Sequence, residues 1–370
     1  MTWRIPALAL SVVVVVLVVV AGCSSPTPSP TQPSTGSPTP DIKPVTLTLA
    51  ARYTSPDVNY SSAATKEWMN LVTERTNGAI TFNDNWGGAL GSGAELFEKL
   101  ENRAVDVIHD SQTAATAKFP VCMFQFPYPF GPTDPRIVLE TSRQFYGEFG
   151  LDMDLAKYNA KLIAQFPSPP YNILSKVPIA TVADLNGKRI GAFGRWWGFW
   201  LEPAGAVLVA APGVDRYEML RTGLIDASLL PTVESYGNKV HEQTTYIIDL
   251  PLMSHSVWEL IIRKDLLESF SPEVQRILVE SGHDAEEKAV NELLPAWEAT
   301  VWKAWEDAGL QLIDFPDAEI AKLAGLLEDT PAVWAKELEA LGYPGWEMVK
   351  RYQEITANLG FQWARQWGVR

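Results

Sequence analysis

Two cysteines and four histidines are spread over 370 residues, and neither Cys-x-x-Cys nor His-Glu-x-x-His spacing occurs. The ligand sets that hold structural or catalytic zinc are therefore missing, and no metal centre or cofactor is expected. Positive charge is also scarce: 30 Lys and Arg stand against 44 Asp and Glu, a net charge of −14. Such a surface repels a phosphate backbone, which argues against nucleic acid as a partner. No Gly-x-Ser-x-Gly elbow is present, so the nucleophile of an α/β-hydrolase is not in evidence. What remains is an ordinary globular composition, 46% apolar and 20% charged, long enough for about two domains. Its unusual feature is 14 Trp, each a wide apolar face with one N–H to satisfy.

The first segment carries one cation, Arg4, then an uncharged apolar run over residues 7–21 ending in Val20-Ala21-Gly22-Cys23. This is the layout of a secretory signal. The Val-Ala-Gly-Cys ending resembles the lipobox of bacterial lipoproteins, which implies cleavage before Cys23 and lipidation of that thiol. The competing reading is an uncleaved transmembrane helix, for which the run is short of the about 20 residues a bilayer requires. Residues 24–44 are dominated by Ser, Thr and Pro and read as an extended tether. Cleavage would leave Cys122 as the single thiol, in an apolar Phe-Pro-Val-Cys-Met-Phe setting that suits a buried side chain.

From Val45 onward, strand-like and helix-like stretches alternate, which favours an α/β architecture with largely parallel sheet. Val45 to Ala51 alternates with period two and reads as a strand. A helix with Ala64, Trp68, Leu71 and Val72 on one face follows, stopped by Asn77-Gly78. Residues 80–82 form a strand, residues 94–102 a helix and residues 105–109 a third strand. After the Pro-rich stretch 166–170 comes a second set. Its strands fall near Ile173 and at 188–193, 207–210 and 225–229, with helices at 199–206 and 216–222. From Ser271-Pro272, apolar residues recur near every fourth position to Trp305, predicting one helix of about 55 Å, kinked at Pro295.

Three separated segments resemble the solute-binding proteins of tripartite ATP-independent (TRAP) transporters. They are Gly87-Gly-Ala-Leu-Gly through Asp106, Ala183-Asp-Leu-Asn-Gly-Lys-Arg189, and Tyr217-Glu-Met-Leu-Arg-Thr-Gly-Leu-Ile-Asp-Ala227. The resemblance runs from about Val45 to Asp314. It implies a two-lobed periplasmic-binding-protein-like fold of type II, with a ligand cleft between lobes and a long bridging helix. The boundaries expected are a signal at 1–22, a tether at 23–44, lobe I at 45–168 with 256–295, and lobe II at 169–255 with 296–370, which includes the C-terminal helices. The implied function is an extracytoplasmic receptor, lipid-anchored on the outer face of the membrane through Cys23. It would close over one small molecule and hand it to a membrane permease.

The chain departs from the family at the ligand anchors. Most members carry a carboxylate-binding Arg four residues after the Gly of the Leu-x-Gly segment, and that position is Gly191 here. The positions of an aromatic and an Asn that often complete the site fall near Gly213 and Leu230. Arg189 keeps the strand parity of the family's Arg, one strand pair further from the cleft edge. Loss of a bidentate guanidinium removes a strongly orienting contact, so a simple C4-dicarboxylate or sialic acid is disfavoured. In its place stands Gly194-Arg-Trp-Trp-Gly-Phe-Trp200. Arg195, Trp196 and Trp197 in this cluster suit an aromatic, sugar-like or hydrophobic ligand; the alternative is that the rings pack the lobe core. Further candidates are Tyr53 and Trp86 in the first two strand-end loops, Asp110 and Ser111 at the third, Tyr171 where relatives place an Arg, and Leu230. His255, near the hinge, brings a possible charge change near neutral pH.

Three other functions compete with this one. A receptor of an ATP-driven importer or a sensor kinase shares the fold but not the three segments. An exported esterase or glycosidase needs a nucleophile or carboxylate pair that this acidic chain does not single out. A scaffold without ligand would show no ligand-dependent compaction.

Overall fold

The structure, a computed structural model, describes residues 43–368 apart from 251, 256 and 257. The signal segment, Cys23 and the tether as far as residue 42 lie outside the described residues. The first strand, β1 (Val45–Ala51), buries Leu47 and Leu49 and leaves Thr46 exposed, as its alternation dictates. Asn59 caps α1 (Tyr60–Arg75), its Oδ1 accepting from the backbone N–H of Ser61 (2.9 Å) and Ser62 (3.2 Å). β2 (Ile80–Asn85), α2 (Ala94–Glu101), β3 (Val107–Asp110), α3 (Pro135–Phe149), α4 (Asp152–Ala156) and β4 (Ala160–Phe166) follow.

The chain then crosses to β5 (Tyr171–Ser175), β6 (Arg189–Ala192), α5 (Trp196–Leu201), β7 (Val207–Ala210), α6 (Arg216–Arg221), β8 (Ala227–Pro231), α7 (Thr232–Gly237) and β9 (Tyr246–Asp249). It returns through β10 (Trp258–Arg263), α8 (Lys264–Ser269), α9 (Pro272–Lys288) and α10 (Leu294–Asp307). The last elements are β11 (Gln311–Asp314), α11 (Asp317–Leu326), α12 (Thr330–Ala340) and α13 (Gly345–Asn358).

Two sheets result, in strand order β2-β1-β3-β10-β4 and β11-β9-β5-β8-β6-β7, each the centre of one lobe. They are less uniformly parallel than the alternation of elements suggests. β10 runs antiparallel to β3 and β4, and β5 runs antiparallel to β8 and β9. The reason is topological: a strand arriving from the other lobe enters its sheet from the cleft side, opposite to strands that exit towards it. The two crossings, 167–170 and 250–257, are tied together. The Ser168 N–H donates to the His255 carbonyl (2.6 Å), the His255 N–H to Ser168 Oγ (3.1 Å), and the Tyr171 N–H to the Met253 carbonyl (3.0 Å).

The helix expected from Ser271 is present but interrupted by one π turn, Ala289–Leu293, between α9 and α10. Pro295 has no N–H to give and its ring crowds the preceding turn, and the wider π turn just before it accommodates both. α9 packs on α1 and β4, whereas α10 packs on α7, so the helix spans both lobes. Its seat on the first sheet is close. A Cβ at Gly282 would overlap the backbone oxygen of Ile163, and the Trp68 indole N–H reaches the Leu278 carbonyl at 2.9 Å. In the second lobe, α5 starts at Trp196, three residues before the helix read from the sequence, so Trp196 and Trp197 are helical. Pro203 turns that helix into a short 3-10 segment.

Candidate functional site

The carboxyl ends of β1, β3, β6, β7 and β8 face one another across the gap between the sheets, the place where open α/β sheets bind ligands. A cavity of about 810 Å³ lies there, within the range of small-molecule sites. Its first-lobe wall includes Arg52, Tyr53 and Ser111 at strand ends, together with Phe126 and Trp258. Its second-lobe wall includes Tyr171, Trp197, Leu230 and Glu234, and helix α12 adds Trp334 and Leu338.

Aromatic faces dominate. Tyr171 and Trp197 pack at 4.5 Å between centroids, Tyr53 and Trp258 at 5.8 Å, and Phe126 stacks on the His255 ring at 5.0 Å. The Trp197 indole N–H is used internally, donating to the Phe193 carbonyl (3.1 Å). The ring therefore offers the cavity its face rather than its N–H.

Two guanidinium groups, Arg52 and Arg216, interrupt this apolar wall, and a third, Arg195, lies at its rim. Arg52 donates to Asp110 Oδ1 (2.9 Å) and to the Tyr53 hydroxyl (2.6 Å), and its side chain stays 41% exposed. Asp110 also accepts the backbone N–H of Gly93 and Ser111, each at 2.7 Å. Burial pushes its pKa up against the pull of these donors. Arg216 is 2% exposed. Its Nε and Nη2 donate to the Ala211 carbonyl at 3.0 and 2.9 Å, and Nη1 donates to the Leu229 carbonyl and to Ser228 Oγ. No carboxylate among the described residues is hydrogen-bonded to it. Burial pulls its pKa down to about 10, opposed by the nearby Glu234 and Tyr171, and it remains a cation at neutral pH.

Of the residues singled out by sequence, Tyr53, Ser111, Tyr171, Arg195, Trp196, Trp197, Leu230 and His255 line the cavity. Asp110 and Trp86 do not. Asp110 sits behind the wall and holds Arg52 in place, and the Trp86 N–H is committed to Asp84 (2.8 Å) at the edge of the first sheet. Arg195 is at the rim, in a two-point pair with Glu337 at 2.8 and 2.5 Å and lying over the Trp196 ring. His255 shares a hydrogen bond with the Tyr171 hydroxyl (3.0 Å). Burial drives its pKa down to about 3, so it stays neutral near pH 7 instead of switching charge there. Arg189 is paired with Asp226 away from the cavity.

Sequence reasoning missed Arg52, Phe126, Arg216, Glu234 and Trp258. Counting along β6 from Gly187 leads to Gly191, where a Cβ would meet Ile225 Cδ1 at 2.7 Å, so a side chain there would have to displace the Ile225 methyl. The cavity's buried guanidinium comes instead from the start of α6. Its one sequence signal was a cation directly after a strand-end turn, Gly213-Val-Asp-Arg216.

A family model, Bacterial extracellular solute-binding protein, family 7, matches residues 50–336. The outer membrane transporter protein TsaT of Comamonas testosteroni is 27% identical over 203 residues, which cover 53% of this chain and 59% of TsaT. The chain thus spans under two thirds of that relative. Two crystal structures share the fold. A TRAP solute-binding protein from Rhodoferax ferrireducens T118, in complex with copurified benzoate, superposes with a TM-score of 0.75 at 21% identity, covering 85% of this chain and 98% of that one. A marine metagenome TRAP solute-binding protein from an unidentified microbe, specific for aromatic acid ligands and bound to metahydroxyphenylacetate, has a TM-score of 0.74 at 23% identity, covering 86% and 100%.

Proposed function

This chain belongs to the bacterial extracellular solute-binding proteins, family 7, and from that premise we propose that it is the receptor of a TRAP-type secondary importer. It closes over one small aromatic acid and delivers it to the membrane permease. The observation that carries the ligand class is Arg216: a buried cation with no carboxylate hydrogen-bonded to it, opening onto a cavity walled by aromatic rings. Taking a guanidinium out of water is costly unless something anionic compensates it, and a ligand carboxylate does so in a charge-assisted contact. The rings of Tyr53, Tyr171 and Trp197 provide flat faces for the remainder of the ligand. Benzoate and metahydroxyphenylacetate in the two related structures are ligands of this chemistry.

Closure follows from the topology. The chain crosses between lobes at 167–170 and 250–257, and the bridging helix touches both. A ligand gripped from both walls binds the closed form better than the open one, and that difference in affinity is what shifts the population. The chain acts by binding and release, without turnover of its ligand. Its lobes divide at 45–168 with 256–295 and at 169–255 with 296–370, and Cys23 carries the acyl anchor that keeps the receptor at the membrane. Replacing Cys23 by Ser releases the protein into the soluble fraction if this anchoring holds.

The decisive experiment is native mass spectrometry of the purified protein, followed by a thermal-shift screen with benzoate, phenylacetate, hydroxybenzoates, sugars and C4-dicarboxylates. A ligand at 100 times its Kd stabilises the fold by about 2.7 kcal/mol. Stabilisation by aromatic acids and not by C4-dicarboxylates supports the reading; a response confined to neutral sugars refutes it.

A further inference from the structure

Glu234 lines the same cavity from the first turn of α7, and its position raises a question of charge. Two other enclosed carboxylates, Glu259 and Glu286, show what a full set of donors looks like. Glu259 accepts from the Gln112 N–H (2.7 Å), the Gln112 amide (2.9 Å) and the Tyr146 hydroxyl (2.9 Å). Glu286 accepts from the Gln165 N–H (2.6 Å) and from Arg143. The Glu234 carboxylate accepts no hydrogen bond from any described residue. Arg52 and Arg216 are the cations that act on it, yet neither is hydrogen-bonded to it: Arg52 is held by Asp110 and Tyr53, and Arg216 by backbone carbonyls. Burial pushes its pKa upward against the pull of Arg52 and Arg216.

By formal charge this wall sets two carboxylates beside its two guanidinium groups, but only Asp110 is hydrogen-bonded to its partner, Arg52; Glu234 lies near Arg216 without satisfying it. A ligand that brought only a carboxylate would put an uncompensated negative charge beside Glu234. One that also carries a hydrogen-bond donor, away from its carboxylate, satisfies Arg216 and Glu234 together. We infer that Glu234 is the specificity-determining residue of this site and selects aromatic acids bearing a phenolic hydroxyl over their unsubstituted counterparts. The inference rests on the aromatic-acid reading above. It assigns the carboxylate end of the ligand to Arg216 and the hydroxyl end to Glu234, and it disfavours dianions.

The test is isothermal titration of benzoate, 3-hydroxybenzoate and 4-hydroxybenzoate into the wild-type protein, Glu234→Gln and Glu234→Leu. In the wild type, at least one hydroxybenzoate binds about tenfold or more tighter than benzoate, the scale of a hydrogen bond to a charged acceptor. In Glu234→Leu that ratio falls to about twofold or less, while benzoate itself binds as well as before or better, because a repelling charge has gone. Glu234→Gln keeps the shape and a neutral acceptor and retains an intermediate ratio, which guards against a Leu variant that folds poorly. A wild-type ratio near one, or a ratio that survives in Glu234→Leu, overturns the role of Glu234 and leaves the aromatic-acid reading standing. Failure of all three acids to bind the wild type overturns both.

Discussion

Replacing Arg216 by Met separates what this residue does for the fold from what it does for the ligand. Burial takes the guanidinium from an ordinary pKa of 12.5 to about 10, which corresponds to about 3 kcal/mol of unfavourable burial of the charge at about 1.4 kcal/mol per pKa step. Removing the charge recovers that cost. Against it, the Ala211 and Leu229 carbonyls lose their donors, at about 1 to 3 kcal/mol each. The two effects largely offset, so unfolding stability without ligand changes by no more than about 3 kcal/mol. Affinity has no such offset. The ligand carboxylate loses a charge-assisted hydrogen bond worth about 1.5 to 3 kcal/mol, which converts to a Kd weakened by about 10- to 100-fold. Titration calorimetry with the tightest-binding aromatic acid, beside denaturant unfolding of the unliganded protein, measures both numbers. A variant whose affinity stays within threefold of wild type, with a large loss of stability, would show that Arg216 serves the fold alone.

Glu259 sets a second test, in pH. Burial holds its pKa at about 8 in the folded protein against an ordinary 4.5, so the folded chain keeps a proton that the unfolded chain releases between those values. Stability accordingly falls as pH rises from about 4.5 to 8. Chemical denaturation across that range shows the decline in the wild type and a flatter profile in Glu259→Gln. His255 works in the opposite sense and in a lower window: its folded pKa near 3 lies below the ordinary 6.5, so stability is lost as pH falls below 6.5 towards 3, and His255→Phe weakens that dependence. Gly282→Ala puts a Cβ into the Ile163 backbone, which cannot yield as a flexible side chain would. The variant loses about 1 to 3 kcal/mol in thermal or denaturant unfolding, and an unchanged melting temperature would mean that α9 has room to shift on the first sheet.

The elements that local patterning governs were readable from the sequence. The alternation of β1, the capped amphipathic α1 and the Ser271-Pro272 start of α9 all depend on residues within a few positions of one another. What depends on partners far along the chain was not readable. Trp258 to Arg263, Trp-Glu-Leu-Ile-Ile-Arg, says nothing of its return to the first sheet between β3 and β4, about 90 to 150 residues back, and its antiparallel sense is fixed only by the direction of the crossing. The aromatic stretch from Phe119 to Phe130 carries no helix or strand period, yet Phe126 reaches the cavity and Phe124 stacks on Phe145 in the core.

The ligand anchor shows the same limit at one position. A count from Gly187 assumes that function stays with a place in the chain, but a carboxylate requires only a place in space. The cavity can be given a guanidinium from β6 or from the start of α6, because both elements end at the same cleft edge. Here Ile225 occupies the space that a side chain on residue 191 would need, and Arg216 reaches the cleft from the neighbouring turn. Its three nitrogens are fixed by the carbonyls of residue 211, just beyond β7, and residue 229, within β8, the strands on either side of β6. The rigid sheet edge thus orients the charge before any ligand arrives, the arrangement that lowers the entropic cost of binding.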